Sequence, residues 1–113
     1  MVLCMGGYWY DRDCGSAPPP KNGVSVFFAY DSAKLTPLAR EILRMVPKDR
    51  EVRIVGHASP EGSDEYNLRL GQRRAFSVKS FLGRGKVESV GERECKEERR
   101  RWHVCRKANI WWR

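Results

Sequence analysis

The ten residues Ile54-Val55-Gly56-His57-Ala58-Ser59-Pro60-Glu61-Gly62-Ser63, with the segment that follows them, constrain the fold more than any other part of the chain. Val52, Ile54 and Gly56 alternate with Arg53 and Val55, the two-residue period of a strand. Pro60 and Gly62 break that strand into a loop. Ser63-Asp64-Glu65 then supplies a helix cap and negative charge at the positive end of a helix dipole. Leu68, Gly71, Ala75, Val78 and Leu82 recur at steps of three and four, which predicts the face that this helix turns to the core. Gly71 and Ala75 are small enough to let it lie close to a sheet. Gly83 and Gly85 stop it.

The flanks repeat the alternation of strand and helix. Val24 to Tyr30, entered from Asn22-Gly23, reads as a strand. Thr36-Pro37 opens a helix, with Thr as cap and Pro in the first turn. Leu38, Ile42 and Met45 give that helix an apolar stripe, and Pro47 closes it. Lys86 to Val90 and Ala108 to Trp112 read as two further strands. The charged run from Glu92 to Arg101 between them is a helix or an exposed loop. The order β-α-β-α-β-β predicts an α/β two-layer sandwich with helices on one face of the sheet. A chain of 113 residues is one domain by size. Residues 23–113 form it, and residues 1–22 form an N-terminal arm with the stiff linker Pro18-Pro19-Pro20.

The net charge of +8 favours acidic partners: anionic glycan or lipid surfaces, nucleic acid, or an acidic protein. Arg99-Arg100-Arg101 and nearby aromatics permit a small nucleic-acid-binding domain. The four cysteines fall as two pairs with equal spacing, Cys4/Cys14 and Cys95/Cys105. An even count in close pairs predicts disulfides and an oxidising compartment, which argues against nucleic acid. Three connectivities exist for four cysteines, and the local pairing is the expected one. The gaps are long for zinc, and His57 and His103 have no neighbouring ligand pair, so no metal or cofactor is expected. His57, at a strand end, reads as a structural histidine. No phosphate loop, nucleophile elbow or carboxylate dyad supports an enzyme. No apolar run approaches the ~20 residues of a membrane span. Met1 to Gly7 lacks the length and basic region of a secretory signal, which leaves an internal protein or an already processed chain.

Gly56-His57, Gly62, Tyr66-Asn67, Leu70, Arg74-Ala75 and Val78 resemble the signature of the OmpA-like C-terminal domain. That pattern reads roughly Gly-His-Thr-Asp, a short loop, then Tyr-Asn-x-x-Leu-Ser-x-x-Arg-Ala-x-x-Val. Phe27 to Leu35 is similar to the family's first strand and the loop after it, so the resemblance covers residues 24 to about 91. It implies the same β-α-β-α-β-β fold and a non-enzymatic domain in the periplasm or at the outer membrane of a Gram-negative bacterium. It also implies noncovalent binding of peptidoglycan through the diaminopimelate residue of its stem peptide. That ligand carries an ammonium and a carboxylate on one carbon. By the resemblance Arg74 takes the carboxylate, Asn67 adds an amide contact, and Asp31 and the position of Ser59 complete the site.

This chain has Ala58-Ser59 where the family has Thr-Asp. A serine carries no charge for an ammonium, and losing such a contact costs on the order of 1.5–3 kcal/mol. Glu61 and Asp64 are nearby acids outside the matching position. The family's terminal Asn-Arg-Arg-Val is also absent, since Asn109 is followed by Ile110-Trp111-Trp112. Two roles follow. The domain binds peptidoglycan, held near the outer membrane by an anchor not visible in this sequence. Alternatively it is a degenerate module that contacts an envelope or secretion-assembly protein through its basic tail and C-terminal tryptophans.

Overall fold

A computed structural model of the protein describes residues 22–113. The N-terminal arm and the Cys4/Cys14 pair lie outside the described residues. Strand β1 is Gly23–Phe27, helix α1 is Pro37–Leu43, and strand β2 is Val52–His57. Helix α2 is Asp64–Leu82 and strand β3 is Lys86–Gly91. A 3-10 helix, Arg99–Cys105, precedes strand β4, Lys107–Trp112.

The sheet order is β1-β4-β2-β3. The last strand inserts between the first two, antiparallel to both, with Val26 opposite Ala108 and Ile54 opposite Ile110. Strands β2 and β3 are parallel, joined by α2, and their register shifts between Gly56 and His57. Val26, Ile54, Ala108 and Ile110 are fully buried beneath the helices together with Leu43, Ala75 and Val78. Removing each large aliphatic side chain here from water contributes about 1.5–3 kcal/mol.

The contact between α2 and the sheet is closest where two glycines meet. A Cβ on Gly56 would fall 1.7 Å from the Gly71 carbonyl oxygen, and one on Gly71 would fall 2.4 Å from Ser89 Oγ. Ser63 caps the helix, its hydroxyl accepting from the Tyr66 amide at 3.0 Å, and Gly83 ends it in the left-handed conformation at φ 80°.

Three expectations are corrected. Strand β1 stops at Phe27 rather than Tyr30. The Phe28 amide still bonds the Arg106 carbonyl at 2.7 Å, but a turn then closes from Ala29 to Ser32, with Asp31 at φ 52°. In α1 the stripe is out of phase by one residue. Ala39, Leu43 and Val46 are buried, whereas Leu38 and Met45 are about two thirds exposed. Both sets have helical spacing, and the small Ala39 is the side chain that fits beneath. In α2, Leu68 is only half-buried, and Leu70 joins the buried face with two polar residues, Asn67 and Arg74.

The charged segment before β4 contains the expected disulfide, Cys95–Cys105. It fixes Cys105, and with it Arg106, against the end of the sheet.

Candidate functional site

Three connections converge where β2 ends and α2 begins: the turn after β1, the loop Ala58 to Ser63, and Arg106 at the entrance to β4. The loop is held from below. The Ala58 amide bonds the Gly91 carbonyl at 2.9 Å, and the Glu61 amide bonds the Ser59 carbonyl at 2.8 Å. Gly62 takes a positive φ of 90° that lets the chain turn into the Ser63 cap.

Arg74 lies at the centre of this end with none of its surface exposed. Its Nε donates to the Ser32 carbonyl at 2.8 Å, Nη1 to His57 at 2.9 Å, and Nη2 to Ala29 at 3.1 Å. One side chain thus ties the turn after β1 to the end of β2. Its guanidinium sits over the Phe28 ring, 5.4 Å from the centroid. Burial, and then the neighbouring Arg106 cation, bring its pKa down to about 10, opposed by Glu61 and Asp31. It remains a cation at neutral pH.

Ser59 is also buried. Its hydroxyl donates to Glu61 Oε1 in a short contact and accepts from Arg106 Nε at 3.3 Å. Arg106 Nη2 donates to Glu61 Oε2 at 2.6 Å, and its guanidinium stacks on Tyr30, 5.3 Å from the centroid. The loop therefore sets a carboxylate against the hydroxyl of Ser59, two residues beyond the position where the sequence lacks one. It also brings in a second arginine that the missing C-terminal motif had removed from consideration. Glu61 was visible as a nearby acid. Arg106 was not, because its approach depends on the disulfide loop and on β4 inserting beside β1.

Asp31 accepts a short hydrogen bond from the Tyr66 hydroxyl, which raises the Tyr66 pKa above its ordinary value. Asn67 Nδ2 donates to Glu92 Oε1 at 2.6 Å. A cavity of about 310 Å³ opens here, lined by Tyr30, Asp31, Glu61, Gly62, Tyr66, Asn67 and Leu70. Of the four residues expected from the sequence, Asp31 and Asn67 line it. Ser59 and Arg74 are buried and do not line it.

His57 faces away from the helices, in a buried row on the other side of the sheet. Ser25 Oγ donates to Asn109 Oδ1 at 2.6 Å, and Asn109 Nδ2 lies 3.3 Å from His57 Nε2. An amide NH₂ only donates, so Nε2 accepts and the ring proton sits on Nδ1. Burial, with Lys107 nearby, lowers the His57 pKa to about 3, so the ring is neutral. Among the described residues no group of three His, Cys, Asp or Glu side chains is placed to hold a metal ion.

The sequence profile of the OmpA family matches residues 27–91, more than half of the chain. The chain belongs to the OmpA family. Peptidoglycan-associated lipoprotein of Pseudomonas aeruginosa is 39% identical over 64 residues, 52% of this chain and 38% of that protein. Outer membrane protein A of Bordetella avium is 32% identical over 97 residues, 69% of this chain and 50% of that protein. This chain therefore spans half or less of these two relatives. The crystal structure of the peptidoglycan-associated lipoprotein from Burkholderia pseudomallei matches with a TM-score of 0.64 at 27% identity, covering 79% of this chain and 89% of that one. This OmpA-like domain is a non-enzymatic domain of the Gram-negative cell envelope. These relatives lend no support to a nucleic-acid-binding role.

Proposed function

We propose that this OmpA-like domain binds peptidoglycan noncovalently in the periplasm, near the outer membrane, at the cavity beside Asp31, Glu61 and Asn67. The observation that carries the reading is the position of Glu61. Its carboxylate contacts the Ser59 hydroxyl and the Arg106 guanidinium, so an acid and an arginine stand side by side next to the position that the resemblance assigns to the acid. A diaminopimelate end group presents an ammonium and a carboxylate on one carbon. It matches this pair by exchange: the ammonium goes to Glu61 and Asp31, the carboxylate to Arg106. Arg74 is fully buried and spends its guanidinium on three backbone carbonyls, so it holds the walls of the site and adds positive potential rather than touching the ligand. Ser59 orients Glu61, and Asn67 offers its amide at the cavity wall. The Glu61–Arg106 bond is lost when the ligand enters, which offsets part of the gain and sets a modest affinity.

Co-sedimentation with purified peptidoglycan sacculi tests the reading. The expected result is retention that free diaminopimelate-containing stem peptide displaces. No retention, or retention that the stem peptide leaves unchanged, overturns it. The first result would favour the other role, contact with an envelope protein, whose specific support is that the site's charges are already paired within the domain.

A further inference from the structure

The opposite end of the sheet carries a second surface with a different chemistry. A cleft of about 1120 Å³ opens where β2 starts and β4 finishes. Val52 lines it, so it lies five residues, or roughly 17 Å of strand, from His57 and the Arg74 site. Lys48, Arg50, Arg53, Arg84, Lys86 and Arg113 reach it, against only Asp49 and Glu51. Arg50, Arg53 and Arg113 have carboxylate partners, in Asp49, Glu88 and Glu51. Lys48, Arg84 and Lys86 have none among the described residues. Arg84 instead donates to the Pro47 and Arg50 carbonyls, which fixes the loop that presents Lys48. Half-buried Trp111 and Trp112 form part of the same wall. The chain enters the domain on this side, since the Trp112 amide bonds the Asn22 carbonyl at 3.0 Å.

We propose that this cleft is a docking surface for the phosphate headgroups of an anionic lipid bilayer. Three cations with no carboxylate partner among the described residues give the charge complementarity, and each lysine or arginine near such a surface strengthens binding. Indoles that are half-buried beside such cations suit the boundary between headgroups and acyl chains. Nucleic acid would satisfy the cations equally well, but a disulfide-bonded envelope domain meets lipid surfaces. The surface is independent of the peptidoglycan cavity, so the domain presents one pole to each.

Flotation with vesicles of phosphatidylglycerol mixed with phosphatidylcholine, against phosphatidylcholine alone, tests this. The whole chain is expected to float with the anionic vesicles only, and to be released by added salt. Lys48→Glu with Lys86→Glu should weaken that binding by at least about twentyfold. Both side chains are exposed and neither holds the fold, so the variant's melting curve and its sedimentation with sacculi should match the parent's. No flotation with anionic vesicles overturns the proposal, as does equal flotation of the variant. Tighter retention by duplex DNA, lost in the same variant, would assign the cleft to nucleic acid and also overturn it.

Discussion

The two ends of strand β2 use arginine and lysine in opposite ways. At the end beside α2 the named charged groups have partners inside the domain. Arg74 holds three backbone carbonyls, Arg106 holds Glu61, and Asp31 holds Tyr66. At the other end Lys48 and Lys86 are exposed and have no carboxylate partner among the described residues. Charges that satisfy buried backbone groups are part of the fold, and removing them leaves carbonyls unpaired in a dry interior. Charges left in water contribute almost nothing to stability and are available to a partner. Substitutions at the two ends should therefore separate cleanly into those that unfold the domain and those that change only what it binds.

The largest effect belongs to Arg74. Arg74→Met, close in volume, should destabilise the domain by about 3–5 kcal/mol in chemical denaturation. A cost below about 1 kcal/mol would show that the turn after β1 is held without it. Gly56→Ala comes next, at about 3 kcal/mol. Its new methyl meets the Gly71 backbone oxygen of α2 rather than a side chain that could move away. Equal stability of that variant would mean that α2 lies farther from the sheet than described. Removing the disulfide with Cys95→Ser and Cys105→Ser should cost about 2–3 kcal/mol on the chain-entropy model. It should also weaken ligand binding at the Arg106 end and leave vesicle binding at the other end unchanged.

His57 gives a smaller, pH-dependent effect. Its folded pKa of about 3 lies below the 6.5 of a free imidazole, so the unfolded chain binds more protons between those values. The contribution is complete above pH 6.5 and is lost as pH falls toward 3, at no more than about 1.4 kcal/mol per pH unit. Denaturation from pH 6.5 to 5 should show a slope that His57→Gln flattens. An unchanged slope would place the proton uptake elsewhere. The smallest effect is expected from Lys48→Glu with Lys86→Glu, within about 0.5 kcal/mol in stability. A larger loss would break the distinction between the two ends.

The order of strands and helices was legible because each element announces itself locally. Thr36-Pro37 and Ser63 mark the helix starts, and Gly83 marks an end. The long helix was clear because its small residues, Gly71 and Ala75, fall on the apolar face. The short one was misphased because Leu38-Ala39 and Ile42-Leu43 allow two stripes one residue apart. The phase follows from which side chain fits under the helix, and that is a tertiary property. At the site, Arg74 and Asn67 were named from the motif alone. Their burial was not legible, since an arginine in a helix ordinarily faces water. Only the arrival of the Ala29, Ser32 and His57 carbonyls, from two other connections, makes burial possible. Arg106 lay beyond reach for a related reason. It stands 45 residues from Glu61, and β4 must insert between β1 and β2 before the two meet.

The measurement that bears most directly on the proposed site is a calorimetric titration with a diaminopimelate-containing stem-peptide fragment, comparing the parent chain with Glu61→Gln. If Glu61 supplies the acid that position 59 lacks, the neutral variant should bind about ten- to a hundredfold more weakly, with the difference shrinking in added salt. Undiminished affinity in Glu61→Gln would contradict that assignment.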